Sequence, residues 1–536
     1  MKIFFPVAIL ALSLLLMPAA KAADQAVDHA AQTIAIALGE EPPDLNSMRS
    51  TDAVSFFVLG HINEGLLRYD RRGRLAPGVA ERWEVTAEGA TFWLRRDAKW
   101  SDGQPVAAAD FVFAWRNAVN PQTASQYAYI LYPIKNAEAV NRGEKDTAEL
   151  GVVAVDDFTL RVEFEKPCQY FLSLTAFGTY YPVREDFYTS RGERYAADTG
   201  DLLYNGPFKL TRWVHSASLR LEKNEHYWNR DVVQLNVIDI PYITDDPMAR
   251  LNLFKDEKIA MTGLNSETLK DALRQKYKIR RHLGGAVFYL DFNYREGRLT
   301  RNRNLRKAIQ AVFDPNELVD KVIAVPGNEP GRSLIPSWIM GLEKPFREEY
   351  PAREIEVDLD AAQTYLKQAL NELGLAAIPP LVYLTGDSPD AGKQAEYMQN
   401  LFRTALGIEL RIDKQTFKQR LEKMTTGDFD MVAAGWGPDY DDPMTFADLF
   451  ASWNENNRGR YANADYDRWI RLAQSTTDLK ERMDAMGKVQ DLIIDDVVIL
   501  PQFERSVNYV QHPRLKGVVR TRFGGDPNYV YARVVE

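Results

Sequence analysis

Between residues 380 and 440 the apolar residues switch period from strand to helix and back, twice over. Leu381-Val382-Tyr383-Leu384 is a short apolar run of strand type. Met398, Leu401, Phe402 and Ala405 follow at i, i+3, i+4 and i+7, one face of a helix, with Gly407 placed to end it. Ile408, Leu410 and Ile412 then alternate as a strand, residues 417–423 read as a second helix, and Met431-Val432-Ala433-Ala434 as a third strand. This order predicts a βαβαβ unit with a parallel sheet. Open α/β sheets bind ligands at the carboxyl ends of their strands, so topology alone singles out the next loop, Gly435-Trp436-Gly437-Pro438-Asp439-Tyr440.

The rest of the chain also alternates helix-like and strand-like signals, without internal repeat or long charge block, and an α/β class is expected. A short helix is predicted around residues 54–70, leading through Gly65-Leu66-Leu67 into the turn Asp70-Arg71-Arg72-Gly73. Residues 90–99 read as a strand, and Phe111, Ala114, Trp115 and Ala118 as the apolar face of a helix.

At the amino end, Lys2 precedes an apolar run from Ile3 to Met17 and the small-x-small signal Ala20-Lys21-Ala22, the pattern of a secretory signal peptide over residues 1–22. A membrane anchor is the alternative, but the run is short for a span. The remaining length corresponds to about three folding units of ~150 residues. Without Lys2 and Lys21, 64 bases face 75 acids, a net charge of -11. Such a balance argues against nucleic-acid binding by backbone neutralisation. One cysteine, Cys168, excludes an internal disulfide and a cysteine-type zinc cluster, and is read as a small buried hydrophobe.

Catalytic patterns are missing from this sequence. The six histidines show no helical pairing and no H-E-x-x-H, and there is no G-x-S-x-G. Residues 386–393 resemble a phosphate loop at a glance, but five residues separate the glycines and Gln394 replaces Ser or Thr, so a loop before a helix is expected. Asp439, Asp441, Asp442 and Asp448 lack the glycine and closing glutamate of a calcium loop, and a solvated acidic loop is the plain alternative. Asp439 is distinguished by its place. It follows Trp436 at a strand's carboxyl end, where a carboxylate beside an aromatic wall suits an ammonium group by a charge-assisted hydrogen bond of about 1.5–3 kcal/mol.

Several dispersed segments then fit one family in order. They are residues 75–83 (LAPGVAERW), 91–103 (TFWLRRDAKWSDG), Asn205-Gly206-Pro207-Phe208, Asn224-Glu225-His226-Tyr227-Trp228, Leu305-Arg306-Lys307-Ala308 with Asp314, and residues 435–440. Over essentially its whole mature length the chain resembles the peptide-binding proteins of bacterial ABC importers, extracellular solute-binding protein family 5, and its oligopeptide-binding branch above all.

The resemblance implies an α/β, two-lobed periplasmic-binding-protein fold with an extra subdomain and a two-stranded hinge. Lobe one would comprise 23–63, 188–288 and 506–536, the extra subdomain 64–187, and lobe two 289–505, with the hinge near Tyr289–Asn293 and Pro501–Arg505. Asp439 would hold the ligand's α-amino group. The main chain of Gly435, Trp436 and Gly437 would pair with the ligand like an added strand, opposed by a strand from Ser50, Thr51, Asp52 and Ala53. Tyr127 and Phe417 would line the ligand, although core packing explains an aromatic residue equally well. Gly437 stands where some relatives carry a disulfide cysteine. The positions that carry bases for the ligand's carboxylate in relatives are Met424 and Ala433 here, with Pro389 near a third. This implies longer peptides whose carboxyl end reaches water, or an amine-bearing ligand without a carboxylate.

The implied function is a monomeric periplasmic receptor that closes on peptides and delivers them to an inner-membrane ABC permease, with no cofactor, no nucleic acid and no chemistry of its own. Alternatives within the fold are a receptor for a non-peptide solute, such as a nickel complex, an opine-like amine or a sugar, or a signalling receptor without transport. A periplasmic hydrolase would need a nucleophile or paired carboxylates that this sequence does not display.

Overall fold

The computed structural model describes residues 25–536, so the signal peptide expected at residues 1–22 lies outside the described residues. A five-stranded sheet takes the order Val27–Asp28, Thr33–Leu38, Val237–Ile243, Ser218–Lys223, Phe208–Val214, with the second and third strands parallel. A four-stranded antiparallel sheet takes the order Ala80–Val85, Gly89–Leu94, Thr159–Glu163, Val152–Asp156. The strand expected to reach residue 99 thus stops at Leu94. A short turn follows and delivers Trp100 to the core, where it is 1% exposed.

Helix α1, Ala53–Ile62, starts where Asp52 accepts a hydrogen bond from Ser55 N at 2.8 Å. It is apolar on all sides and accordingly buried, with Phe57, Val58, Leu59 and Ile62 in the core. Helix α2, Ala108–Val119, buries Phe111, Ala114, Trp115 and Ala118 completely, as their spacing predicts. Cys168 is buried and free, in agreement with its reading as a hydrophobe.

The largest sheet carries the βαβαβ unit. Its strands are β1 (Met261–Leu264), β2 (Arg280–Phe292), β3 (Leu381–Gly386), β4 (Leu410–Gln415), β5 (Met431–Trp436) and β6 (Ile499–Gln511). They lie in the order β1-β6-β2-β5-β3-β4, with the short strand Glu329–Pro330 paired to β6. Strands β3, β4 and β5 are parallel, joined by α3 (Pro389–Leu406) and α4 (Phe417–Thr426). Both helices end on a left-handed glycine, Gly407 at φ 65° and Gly427 at φ 79°, where a side chain would be strained. The loop expected over residues 386–393 shrinks to Asp387-Ser388. Ser388 Oγ accepts from Ala391 N at 3.2 Å, and Pro389 supplies the first helical position, so the glycine-rich stretch is mostly helix. Strand β5 runs two residues further than its apolar pattern, taking in Gly435 and Trp436.

Strands β2 and β6, 13 residues each, pair antiparallel at the centre of this sheet. Their register slips between Leu283 and Val287 and again between Phe288 and Tyr289, and Gly285 within the first slip has φ 76°. On β6 the slips fall at Arg505 and Gln502, within the expected stretch Pro501–Arg505, and on β2 they end at Tyr289, where the expected stretch Tyr289–Asn293 begins; a β-bulge with a glycine bends a ladder readily.

Candidate functional site

Strand β5 is paired along its length on one side only. Strand β2 covers it from Met431 to Trp436, whereas β3 pairs with it only at Met431 and Val432. From Ala433 to Gly437 the edge towards β3 has no strand partner, and Gly435 and Gly437 are exposed. The two glycines differ in their reasons. A Cβ on Gly435 would stand 2.8 Å from the Phe288 ring, while one on Gly437 meets nothing within 4 Å. Gly435 therefore permits the sheet packing, and Gly437 leaves open space beside the edge.

Asp439 stands just past this edge and is buried, 8% exposed. The Tyr127 hydroxyl donates to its two carboxylate oxygens at 3.1 and 3.2 Å, and Asp439 N donates to Thr445 Oγ1 at 3.0 Å. Burial pushes the Asp439 carboxyl well above the usual carboxylate range; the Tyr127 bond opposes the shift and the charge of Asp448 adds to it. One neutral hydroxyl does not compensate a buried carboxylate, so a cationic donor has a place here. Trp436 is fixed by its indole N–H, which donates to Thr445 O at 2.9 Å, and its ring lies 6.1 Å from that of Tyr127. Tyr127 joins both readings of it: its ring packs on Phe56, Tyr129 and Phe177, and its hydroxyl reaches Asp439.

The acidic run is not a solvated loop. Asp442 is bound by Arg482 at 2.7 and 2.8 Å, and Asp448 is buried at 4% exposure. Only Asp441 of the four is exposed.

Ser50–Ala53 form no strand, contrary to expectation. Ser50 Oγ donates to Asp44 O at 2.7 Å, Asp52 caps α1, and Ala53 is already helical. Asp52 keeps an extended backbone (φ -131°, ψ 153°) with no strand beside it, while Thr51 Oγ1 accepts from Arg458 Nη2 at 3.4 Å. The segment is a wall without a sheet partner.

At the other end of the open edge lies a group of charges that the sequence reading missed. Met424, at a position that carries a base in relatives, is buried with Leu384, Phe429 and Val432. One turn earlier on α4, Arg420 extends over the Phe417 ring at 5.4 Å and donates to Ala433 O at 3.4 Å. Glu40 stands within charge range of Arg420, and Arg250 within charge range of Glu40. Glu40 Oε2, Arg420 Nε and Arg250 Nε are buried without hydrogen-bond partners. Burial pushes Glu40 up to about 7 against the pull of Arg420, and burial pushes both guanidinium groups below their ordinary value, with Glu40 opposing. A half-buried helix position such as Arg420 looks in sequence like any solvated arginine, and the only hint was its place one turn before Met424.

Residues far apart in sequence close the site. Gln126 Nε2 donates to Thr425 Oγ1 at 3.3 Å, Arg471 binds Glu138 at 2.6 and 2.8 Å, and Asn265 Nδ2 donates to Asp390 at 3.0 Å. Closure without ligand has a pH signature. Glu40 and Asp439 are raised relative to solvated carboxyls, so the closed empty form binds more protons than an open one. Their contribution favours closure below the ordinary carboxylate range and is lost as pH rises, for Glu40 through about 7. Small-angle scattering of ligand-free protein is expected to give a larger radius of gyration at about pH 8 than at about pH 4.5. Equal radii, or the reverse order, would contradict this account.

Comparison with known proteins agrees with this geometry. Residues 74–458 match the family model described as bacterial extracellular solute-binding proteins, family 5 middle. The oligopeptide-binding protein OppA of Bacillus subtilis (strain 168) is 33% identical over 500 residues, 91% of this chain and 90% of the relative. The structure of Listeria monocytogenes OppA bound to peptide superposes with a TM-score of 0.88 at 34% identity, covering 94% of this chain and 99% of that one. The unliganded open form of the Escherichia coli murein tripeptide-binding protein MppA, at 26% identity and similar coverage (96% and 99%), gives only 0.63. The arrangement is thus the closed one of a two-lobed α/β fold, and the chain belongs to the bacterial extracellular solute-binding proteins of family 5.

Proposed function

We propose that this chain is a periplasmic receptor that captures short peptides by closing two lobes over them and delivers them to an inner-membrane ABC permease, acting as a monomer and without chemistry of its own. The observation that carries the reading is the unpaired edge of β5 from Ala433 to Gly437, with Asp439 at one end and Arg420 at the other. A ligand strand laid on that edge gains main-chain hydrogen bonds whatever its side chains, each worth about 0.5–1.5 kcal/mol net. Its ammonium group meets Asp439, with Tyr127 and Trp436 beside it and Ser50–Ala53 as the opposing wall. Phe417 supports Arg420 and lines the far end.

The presence of Arg420 and Arg250 changes the ligand expected. A free carboxylate has partners, so neither a solvent-reaching carboxyl end nor an amine lacking a carboxylate is required. Four residue steps run from Ala433 to Gly437, about 13 Å at ~3.3 Å per residue, a span suited to a tripeptide or tetrapeptide. Among the described residues no helix is long and apolar enough to cross a membrane. For the lobes we take residues 23–63, 188–288 and 506–536 against 289–505, with 64–187 as a subdomain of the first, and the bend at the β2 bulge by Gly285. Ligand that touches both lobes shifts the open form to the closed one by its differential affinity.

Calorimetry with alanine peptides from dipeptide to hexapeptide, free and carboxyl-amidated, tests this. The optimum is expected at three or four residues, and amidation weakens binding by about tenfold or more. Equal affinity for free and amidated peptides would remove Arg420 from the site.

A further inference from the structure

Apart from the β5 edge, a cavity of about 410 Å³ opens where residues 129–170 meet residues 440–474. Its inner wall is formed by Tyr129, Tyr170, Tyr440 and Asp448, none more than 7% exposed, and Glu138 and Arg471 stand nearer its mouth with their charges already paired. Asp448 is the anomaly. Its Oδ1 is buried and, among the described residues, has no hydrogen-bond partner and no base paired with the carboxylate. The phenols of Tyr129, Tyr170 and Tyr440 lie within electrostatic reach of that carboxylate, which holds their ionisation well above the ordinary range together with burial, the larger cause. Burial likewise pushes the Asp448 carboxyl up, and Asp442 adds to it.

A buried acceptor with no donor is costly, and native structures keep few of them. Here the orphan oxygen belongs to a carboxylate whose residue lines a cavity large enough for a small molecule. The buried wall offers a carboxylate and phenol oxygens, all able to accept, which matches the three N–H donors of a primary ammonium group, while the exposed rim carries Arg142 and Lys166 with Glu144 and Glu165 beside them. We propose that this cavity is a second binding site, separate from the Asp439 anchor, for a small organic cation carrying a primary ammonium group, and that its occupant favours the closed form.

The second part follows from where the wall comes from. Tyr129, Tyr170 and Glu138 belong to the 64–187 region, and Tyr440, Asp448 and Arg471 to the 289–505 region. The cavity is complete only when the two meet, so a ligand in it binds the closed form more tightly, and by reciprocity peptide and cation strengthen each other's binding. Occupancy itself does not depend on the peptide reading, and only the reciprocity does.

The test uses n-butylammonium as probe and neutral n-butanol as control, followed by calorimetry and by crystals soaked in the probe. The Asp439→Asn variant removes the competing amine anchor. In that background saturable n-butylammonium binding is expected, with the probe's nitrogen beside Asp448, and n-butanol is expected not to bind. Adding Asp448→Asn weakens binding by about tenfold or more, as loss of a charge-assisted hydrogen bond requires. Adding Ala139→Phe instead, which fills the cavity from a half-exposed wall position without touching Asp448, gives the same loss and serves if the Asp448 variant is unfolded by circular dichroism. No saturable binding in the Asp439→Asn protein, or equal binding after Asp448→Asn and Ala139→Phe, overturns the site. If cation binds but peptides do not, the site stands and the peptide reading falls.

Discussion

Replacing Asp439 with asparagine is expected to weaken binding of a free tetrapeptide by about 30-fold to several thousand-fold, the range of about 2–5 kcal/mol for losing one partner of a buried charge pair. The fold should be unaffected, because in the empty protein this carboxyl is already pushed towards its neutral form by burial and an amide is nearly its isostere. The control lies in the ligand. An amino-acetylated tetrapeptide should bind wild-type protein as weakly as the free peptide binds the variant, and should lose little further in the variant, since the interaction is already gone. Tyr127→Phe, which removes a hydroxyl donor to the carboxylate, should cost about 1.5–3 kcal/mol. Calorimetry on wild type and the asparagine variant with both peptides, and on Tyr127→Phe with the free peptide, reads all of this, and undiminished affinity of the folded asparagine variant would refute the role of Asp439.

Arg482→Ala should produce the largest loss of stability of any single substitution considered, about 3–5 kcal/mol, measured as a lowered urea midpoint. Arg482 lies on α5 (Leu479–Asp495) and is 3% exposed. Its two terminal nitrogens donate to both oxygens of Asp442, its Nε donates to Ala473 O at 3.0 Å, and it lies 5.1 Å from the Tyr170 ring centre. Burial alone would push the guanidinium down, but Asp442 holds it above its ordinary value. Truncating it leaves Asp442 with no cation in a half-buried position three residues from Asp439. Peptide affinity should therefore fall along with stability. The double variant Arg482→Met with Asp442→Leu should recover much of the lost stability, because a paired removal strands no charge. A single variant as stable as wild type would show that α5 does not brace the Asp439 loop.

These expectations draw on a site that was half legible in sequence. The β3-α3-β4-α4-β5 succession could be read because each segment shows its own period and each helix ends on a glycine whose φ only glycine adopts readily. From that succession Asp439 followed by topology, and its acidic neighbours were separable only once their partners were visible. Arg420 was illegible because a basic residue on an amphipathic helix carries no mark of which lobe it will face. Arg250, in helix Pro247–Lys255, lies about 210 residues from Glu40 in sequence and comes within its reach only once the chain has folded. The Ser50–Ala53 strand is not formed because no strand lies beside this segment, and Asp52 uses its side chain to cap a helix, which a single sequence does not distinguish from an extended edge. Asp448 was hidden in an acidic run, where its lack of a partner could not be seen.

Strands β2 and β6 lie side by side through nine paired positions from Arg280 to Asp291, with two slips in register. Such a ribbon flexes across its face at little cost, but sliding one strand along the other would break the whole ladder of hydrogen bonds. Mechanically it is a leaf spring with a single soft axis. On the proposed two-lobed reading, opening and closing would then trace one arc, and the β5 edge would meet Ser50–Ala53 in the same alignment each time. A receptor built this way can accept many side chains while presenting every ligand backbone in one orientation, because variety among ligands changes how far along the arc it closes and not the direction in which it moves.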